Sequence, residues 1–486
     1  MFPYLPRNLR AALSLLILSL AFTSSATNVH GLESGAKISA AIQKKWTGDY
    51  DGMVRRRAIR VLIPYSKTDF FIDGKTIRGY AVDLLREFEK SVNKKKKSSA
   101  RVEIFVVPTK RDLLIPHLLA GIGDVAVANL TVTVERKEQV DFSTPFLRDV
   151  RELLVTSKAT RERSGLNDLA NIAIHVRRSS SYFSSLQAAN IKIEAAGGSP
   201  INYVLVSEYL EDEDLLEMVN AGLIPAVIVD SHKASFWTKI FNNIKVHDAV
   251  AFRDNGEIAW AFRKNSPKLK AQVDAFAEKA KAGTSLGNTL LFGYYRKTKW
   301  LKRADSAKLA EKLKRLRSIF EMHGQRYNID WLILAALAFK ESRFDHSVRG
   351  PTGAIGIMQV KPSTARWKII NVPNIRKVED NVHAATKYLR YIANSYFQDL
   401  KVDPFNQIML TLAAYNAGPN RIAKLRKKAR DPNVWFDSVE RVVAREVNQI
   451  PVRYVINIAQ YYAAFRLLVE AERQVQKEKD VFRLKR

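Results

Sequence analysis

The sequence predicts two domains of different fold class, an α/β domain over residues 58–295 followed by an all-α domain over residues 313–486. Strand-like and helix-like apolar segments alternate in the first part, which favours a mainly parallel sheet flanked by helices. The second part contains helical patterns throughout. Residues 296–312 between them are rich in Lys, Arg and Ala, so we interpret this segment as a basic linker.

In the first domain we predict strands at residues 59–64, 102–107 and 226–229, and helices at residues 82–91, 110–119 and 269–282. In the second domain the apolar spacing predicts helices at residues 316–323, 331–339, 382–396, 407–416, 422–428 and 454–476.

The N-terminus has the pattern of a signal peptide over residues 1–26. Arg7 and Arg10 precede an apolar run over residues 11–22, and small residues follow at 24–26. The alternative is an uncleaved membrane anchor, although the run is shorter than the ~20 residues that a span requires. Residues 27–57 are expected to be a poorly structured N-terminal extension.

The composition limits the classes of partner. The chain of 486 residues has no Cys, which excludes disulfides, thiolate metal sites and a lipidated N-terminal Cys. The formal net charge of +30 favours polyanionic partners. An exported protein would meet the cell wall or anionic membrane surfaces, so we expect a periplasmic or cell-envelope location, with peripheral attachment at the outer membrane as one option. No nucleic acid is expected, because that alternative rests on charge alone and conflicts with export.

The most informative stretch of the chain begins at Asp330, a good N-cap residue. The nine residues 331–339 are all apolar, so this helix has no polar face and must be buried. Glu341 follows where the helix meets a glycine-rich loop. Apolar surroundings and the helix C-terminus both disfavour a charged carboxylate, which makes Glu341 a candidate general acid. The alternative is an ordinary solvated residue that closes the helix.

The residues around Glu341 resemble the soluble-lytic-transglycosylase family, which has a lysozyme-like fold. The matching residues are Glu341–Ser342, Gly353–Ala354, Gly356, Met358–Gln359, Pro362, Thr364–Ala365, Asn381–Val382, Tyr388–Leu389 and Ala414–Gly418. Several motifs in family order are more specific than any one alone.

The resemblance implies cleavage of the MurNAc–GlcNAc bond of peptidoglycan with Glu341 as the catalytic residue. Ordinary glycosidases need two carboxylates, and neither Asp345 nor Glu379–Asp380 is a clear second one. In the family's mechanism the C6 hydroxyl of the muramyl residue attacks intramolecularly, which has an entropic advantage and gives a 1,6-anhydromuramyl end. Neither a cofactor nor a metal ion is implied.

The same resemblance assigns substrate-binding roles to five residues: Met358, Gln359, Tyr415, Asn416 and Tyr454. The hydroxyl of Tyr415 is expected to orient Glu341. Plain helix packing is the alternative for these residues. Three positions depart from the family pattern: Gly350 where Ser is common, Ala385 where Gly is usual, and Ile450–Pro451 where Glu-Thr is usual.

The first domain resembles the bacterial extracellular solute-binding proteins of the amino-acid-binding type. The matching residues are Gly79–Leu84, Gly123–Asp124, Thr131, Thr133, Arg136, Val140–Pro145 and Ala259–Pro267. This resemblance implies a two-lobed, periplasmic-binding-protein-like fold. One lobe would contain residues 58–150 and 250–295 and the other residues 155–247, with a hinge near residues 151–156 and 248–252.

In that family a hydroxyl and an Arg at the positions of Thr131 and Arg136 hold the ligand's carboxylate, and Asp230 matches the position that receives its ammonium. A purely structural role is the alternative, especially for Asp230. Arg177 and Arg178 depart from the pattern and place the usual amino-acid ligand in doubt.

Together these features predict an exported peptidoglycan lytic transglycosylase that is modulated by a small amino-acid or muropeptide ligand in its first domain. The alternative is a non-catalytic periplasmic sensor that binds solute or glycan without cutting it.

Overall fold

The computed structural model describes residues 45–73, 76–97, 100–296, 306–398 and 401–484. The expected signal peptide, most of the N-terminal extension and residues 297–305 of the expected linker lie outside the described residues. The described part confirms the predicted fold class, an α/β domain followed by a helical domain.

The strands of the first domain are β1 (Ala58–Ile63), β2 (Phe71–Asp73), β3 (Thr76–Arg78), β4 (Glu103–Pro108), β5 (Val125–Thr131), β6 (Val140–Phe142), β7 (Leu147–Ser157), β8 (Ile174–Val176), β9 (Tyr203–Leu205), β10 (Ala226–Asp230) and β11 (Ile244–Arg263). Its helices are α1 (Tyr50–Arg56), α2 (Tyr80–Asn93), α3 (Leu114–Leu119), α4 (Val134–Gln139), α5 (Ser181–Ala195), α6 (Asp212–Asn220), α7 (Ser231–Trp237), α8 (Pro267–Ala280) and α9 (Ser285–Leu291).

One sheet runs through both lobes in the order β4-β1-β5-β11-β7-β10-β8-β9, and β6 pairs with β11. Parallel pairs lie toward its two ends, while β5, β11, β7 and β10 pair antiparallel in the middle. The expectation of a mainly parallel sheet was therefore wrong for its centre. The reason is topological, since the chain passes between the lobes along β7 and returns along β11. The predicted hinge segments fall on these two strands, whose pairing shifts register between His247 and Ala251.

The described end of the N-terminal extension is ordered, which corrects the expectation of a poorly structured lead-in. Asp49 caps α1 and also accepts hydrogen bonds from the backbone N–H groups of Lys268 (3.0 Å) and Leu269 (2.9 Å). The side chain of Met53 is fully buried. The helix is therefore part of the folded domain, held by a buried apolar anchor and by the start of α8.

The helices of the second domain are α10 (Ser306–Tyr327), α11 (Trp331–Ser342), α12 (Pro362–Arg366), α13 (Val378–Tyr396), α14 (Pro404–Ala417), α15 (Pro419–Arg426), α16 (Glu440–Glu446) and α17 (Gln449–Leu484). Helix α10 begins within the segment that we interpreted as linker. Within the described ranges, no helix combines the length and the apolar character that crossing a bilayer would require.

The two domains contact each other through α17. This helix packs along β4 of the first domain, and near its end Lys479 forms an ion pair with Glu217 of α6 at 3.2 Å. Phe436 of the second domain meets Phe105 of β4 edge-to-face, with 5.8 Å between ring centroids. One buried apolar cluster consequently continues from one domain into the other.

Asp124 is the centre of a buried charge cluster that ties three segments of the first domain. Its fully buried carboxylate pairs with Arg56, with Arg60 at 2.9 Å and with Arg263 at 3.5 Å. It also accepts a hydrogen bond from the backbone N–H of Arg60 at 2.8 Å. Burial lowers the pKa of Arg56 to about 10 and also lowers that of Arg263, so the carboxylate compensates guanidinium groups that have lost much of their water.

We predict that Asp124→Ala destabilises the protein by about 3–5 kcal/mol, because it leaves buried guanidinium charges uncompensated. Urea unfolding followed by tryptophan fluorescence measures this loss. Asp254→Ala is the matched control, because this carboxylate is 60% exposed in its pair with Arg151 and should contribute at most about 1 kcal/mol. Equal losses for the two variants would contradict the role of the cluster.

Candidate functional sites

Glu341 lies in the last turn of α11, where the helix leaves the core. Asp330 caps the start of this helix through the backbone N–H of Leu332 at 2.9 Å, and residues 332–339 are all buried. The helix ends at Arg343, which has the left-handed backbone conformation (φ 62°). The side chain of Glu341 is therefore half-buried at the boundary between the core and the adjoining loop.

The hydroxyl of Tyr454 donates a short hydrogen bond to Oε1 of Glu341. Burial raises the pKa of Glu341, while the hydroxyl of Tyr454 and the charge of Lys340 oppose that rise. Oε2 of Glu341 receives no hydrogen bond from the described residues. The carboxyl group is thus oriented through one oxygen, with a raised pKa that favours the proton-carrying form.

Polar side chains fasten the loop after α11 to the surrounding helices. The hydroxyl of Ser342 donates to the carbonyl of Ile357 at 2.8 Å. The buried side chain of Asn381 accepts from the N–H of Met358 at 2.9 Å and donates to the carbonyl of Ile355 at 2.9 Å. Gly356 has φ 80°, and a Cβ there would lie 2.6 Å from the His346 ring. The loop therefore needs glycine at this point and keeps one conformation beside Glu341.

The structure changes two of the roles expected from sequence. Met358 is 0% exposed, so its side chain packs in the core and cannot contact a substrate. The hydroxyl of Tyr415 donates to the carbonyl of Met358 at 2.8 Å and not to Glu341. Tyr415 still lies close enough to Glu341 for that charge to help burial raise the pKa of Tyr415. The hydroxyl that donates to Oε1 of Glu341 is instead that of Tyr454, a residue that was expected to contact substrate.

Gln359 is partly exposed and has φ 49°, a left-handed conformation that is uncommon outside glycine. Its amide donates to the carbonyls of Gly356 (2.8 Å) and Val348 (3.1 Å). Asn416 is exposed near the end of α14. The chain therefore places Gln359 and Asn416 where a ligand can reach them.

The departure at Ile450–Pro451 leaves the helix that carries Tyr454 intact. Ile450–Pro451 form the first turn of α17, where proline is tolerated because the first N–H groups of a helix have no partner within it. Asp345, the nearest acidic residue along the chain, is exposed and accepts from the Ser347 N–H at 2.8 Å and from its hydroxyl at 2.6 Å. A second carboxylate is therefore not supplied from this position.

A second site lies in the cleft of the first domain, around a cavity of about 90 Å³. Thr131, Arg136 and Asp230 all line it, so the structure brings these three predicted residues together. The guanidinium of Arg136 donates to the carbonyls of Thr131 (2.8 Å) and Ser179 (2.9 Å). Since Ser179 belongs to the opposite lobe, this side chain bridges the two lobes.

Asp230 carries an unsatisfied oxygen into the cavity. Its Oδ2 accepts from Asn129 at 2.8 Å, whereas Oδ1 is buried and has no hydrogen-bond partner. Burial raises the pKa of Asp230 to about 7. A buried acceptor without a hydrogen-bond partner costs folding free energy. A cationic group that donates to this oxygen would supply the missing partner.

Arg177 lines the cavity, where Asp212 compensates its charge, whereas Arg178 does not line it. Arg177 is buried and pairs with Asp212 at 2.6 Å, and Asp212 also pairs with Lys233 at 2.8 Å. Arg178 is exposed and lies over the ring of Phe183. The departure from the family pattern therefore does not exclude a zwitterionic ligand.

Sequence reasoning missed Asn129 and Arg111. Asn129 holds Asp230, and the hydroxyl of Ser181 donates to that of Thr131 at 3.1 Å. Arg111 pairs across the cleft with Glu211 at 2.7 Å. The side chains that line a cavity from two lobes are distant in sequence, so spacing could not indicate these partners.

In the described ranges no group of three or more His, Asp and Glu side chains is placed to hold a metal ion.

Comparison with known proteins assigns a class to each domain. The model of the bacterial extracellular solute-binding proteins, family 3, matches residues 59–290. The model of the transglycosylase SLT domain matches residues 318–436. The chain is thus a family 3 solute-binding domain followed by a transglycosylase SLT domain, which are the two classes that the sequence resemblances predicted.

Relatives that align with more than four fifths of this chain are named "Membrane-bound lytic murein transglycosylase F". The relative from Desulfosudis oleivorans is 27% identical over 414 residues, which cover 82% of this chain and 86% of the relative. The relative from Ectopseudomonas mendocina is 26% identical over 436 residues, which cover 83% of each. The chain has the architecture of the membrane-bound lytic murein transglycosylase F type.

Among solved structures, the amino acid ABC transporter substrate-binding protein AbpA from Streptococcus pneumoniae bound to L-arginine is 20% identical. It covers 51% of this chain and 98% of its own, with a TM-score of 0.42.

We predict that Tyr454→Phe raises the pKa of Glu341 further, because it removes the hydroxyl that stabilises the carboxylate. Carbon-13 NMR of protein labelled at the glutamate carboxyl carbon, with Glu341→Gln to assign the signal, measures the titration. Tyr462→Phe is the matched control in the same helix, since that hydroxyl donates to Asp330 at 2.9 Å. An unchanged or lowered pKa of Glu341 in Tyr454→Phe would refute the assignment.

Proposed function

We propose that the protein cleaves peptidoglycan glycan strands as a lytic transglycosylase, with Glu341 as its single acid and base. The observation that carries this proposal is the half-buried carboxyl group with a raised pKa, held by Tyr454 at the edge of the core. The SLT match and the names of the relatives support the reaction class. Tyr454 lies beyond the matched residues 318–436, so the tertiary structure adds this partner.

The proposed reaction needs one carboxyl group in two protonation states. Protonated Glu341 donates its proton to the glycosidic oxygen between MurNAc and GlcNAc, and the bond from C1 of MurNAc to that oxygen breaks. The carboxylate then accepts the proton of the C6 hydroxyl of the same MurNAc residue. As that proton leaves, the C6 oxygen bonds to C1. The products are a free GlcNAc hydroxyl and a 1,6-anhydromuramyl end, and Glu341 regains its proton.

Two features of the site suit this order of reaction steps. Because its pKa is raised, Glu341 stays partly protonated at pH values where a solvated Glu would be ionised. The rate of the first step should fall as pH rises through that pKa. Tyr454 donates to Oε1 and so stabilises the carboxylate formed after proton transfer. The other oxygen, Oε2, is the one that we assign to proton transfer. Gln359, Asn416 and Tyr415 are proposed to position the sugar.

The first domain is proposed to bind a small amino acid or a wall-derived peptide. Arg136 and Thr131 would hold the carboxylate of the ligand, and Oδ1 of Asp230 would accept from its ammonium. An ammonium group there would restore the missing partner of that buried oxygen. Ligand binding would reach the catalytic domain through α17, which carries Tyr454 near its start and pairs Lys479 with Glu217 of α6.

We further propose that the protein is exported by residues 1–26 and acts in the periplasm or cell envelope, held at anionic membrane or wall by its basic surface. The relatives are named membrane-bound, which supports an envelope location. The high positive charge supports electrostatic attachment.

We predict that Glu341→Gln folds normally and loses essentially all cutting activity, because an amide cannot donate and retrieve the proton. Purified sacculi are digested in heavy-oxygen water, and the soluble products are analysed by mass spectrometry. Wild-type protein should release unlabelled anhydromuramyl ends. Reducing muramyl ends that carry the label, or near-wild-type release by Glu341→Gln, would contradict the proposed chemistry.

We also predict that an amino acid or muropeptide raises the melting temperature of the full chain and that Arg136→Ala abolishes this shift. Saturating a site with ligand at about 100 times its Kd stabilises the folded form by about 2.7 kcal/mol, which differential scanning fluorimetry detects. Arg178→Ala is the matched control, because this exposed Arg is next to the cleft without lining its cavity. If Arg178→Ala removes the shift and Arg136→Ala retains it, the binding assignment is wrong.

A further inference from the structure

A row of aromatic rings leads from the surroundings of Glu341 to the surface of the second domain. The ring of Tyr415 lies 5.8 Å from that of Tyr388, which is nearly parallel to Tyr391 at 6.4 Å. Tyr391 meets Trp367 edge-to-face at 4.7 Å. Trp367 therefore lies at the outer end of a continuous set of contacts that begins beside the proposed active site.

Trp367 is exposed and yet firmly held. Its side chain is 38% exposed, and that of Ile369, two residues along, is 46% exposed. The carbonyl of Trp367 accepts from the N–H groups of Ile370 and Asn371, both at 2.8 Å, and Lys387 donates to the carbonyl of Ile370 at 2.8 Å. Neighbouring large apolar side chains that stay exposed on a fixed loop are typical of ligand-binding grooves.

The same segment is exclusively basic. Residues 346–377 contain six Lys and Arg residues and neither Asp nor Glu. Five of the six flank Trp367 or follow it, and these five are exposed. We call them, together with Trp367, the basic–aromatic rim: Lys361, Arg366, Trp367, Lys368, Arg376 and Lys377. In the part of the chain that the structure describes, none of these cations forms a salt bridge.

The rim is fixed beside the loop that follows Glu341. The ring of His346 in that loop hydrogen-bonds the carbonyl of Arg376 at 2.7 Å, and Asn381 donates to the carbonyl of Ile375 at 3.1 Å as well as to that of Ile355. A ligand that is bound at Glu341 and follows the row of rings from Tyr415 past Tyr388 would therefore reach Trp367 and its cations.

We propose that the basic–aromatic rim is an outer glycan subsite that recognises strands whose stem peptides carry free carboxylates. This inference rests on the proposed function. A sugar ring presents a face of C–H groups, which packs against the exposed ring of Trp367 and the partly exposed ring of Tyr391. Carboxylates of the attached peptide pair with Arg366 and Lys368, because guanidinium and ammonium groups bind carboxylates by charge-assisted hydrogen bonds. The rim thereby favours strands whose stem peptides carry free carboxylates over strands whose peptide carboxylates have been neutralised.

The test compares one substrate in two charge states. Soluble, uncrosslinked glycan strands with intact stem peptides are cut either as isolated or after their carboxylates have been converted to amides. We expect the full-length wild-type protein to show a KM about tenfold higher for the amidated strands with little change in kcat, as two exposed ion pairs of modest strength would give. The difference should shrink at high salt.

Two sets of variants assign the effect to the rim. Arg366→Gln/Lys368→Gln should raise the KM for unmodified strands and bring the two substrates to nearly equal KM. Trp367→Ala should raise KM for both substrates about equally, and Trp367→Phe should restore most of the loss because it retains an aromatic face. Thermal melting verifies that each variant is folded.

Matched controls remove equivalent groups elsewhere on the chain. Lys94→Gln/Lys95→Gln removes two exposed cations of the first domain, and Tyr203→Ala removes a similarly exposed aromatic ring. Neither should change the KM ratio. Equal KM values for both substrates in the wild type, or rim variants that behave like the controls while anhydromuramyl ends still form, would overturn the proposal. Absence of anhydromuramyl ends from wild-type digests would instead refute the proposed function.

Discussion

Burial of helix α11 is the constraint on which the catalytic domain depends. Its residues 331–339 offer no polar face, so other segments of the chain must cover the helix on every side. Helices α10 and α17 supply much of that cover. Because the apolar run ends just before Glu341, the same packing that stabilises the domain places this carboxyl group at the edge of the core. Its raised pKa is a consequence of that position.

Helix α17 connects features that are far apart in the chain. It packs on α11 and β4, holds Glu341 through Tyr454, and reaches the second lobe of the solute-binding domain through Lys479. In the ligand cleft of the first domain, two contacts join the lobes. One is the hydrogen bond of Arg136 to Ser179, and the other is the ion pair of Arg111 with Glu211. Both proposed sites therefore lie where side chains from distant segments of the chain meet.

The rim around Trp367 gives the second domain a surface of different chemistry from its catalytic centre. The centre is half-buried and uses one carboxyl group, whereas the rim is exposed and offers rings and cations. Such a division separates bond cleavage from strand selection. It also gives the positive charge of this region a local use, in addition to general attraction toward anionic wall or membrane.

Patterns that act over a few residues could be recognised in the sequence, because local spacing controls them. The apolar run of α11, the Asp330 cap, the glycine-rich loop and the alternation of strands and helices all belong to this class, and each is present in the structure. Thr131, Arg136 and Asp230 could also be selected from their motifs. Only the tertiary structure decided which tyrosine meets Glu341, because that contact spans 113 residues. It also decided that Met358 is buried, that Arg177 is neutralised by Asp212 and that the centre of the sheet is antiparallel. Each of these depends on how distant segments pack, and residue spacing along the chain carries no record of such contacts.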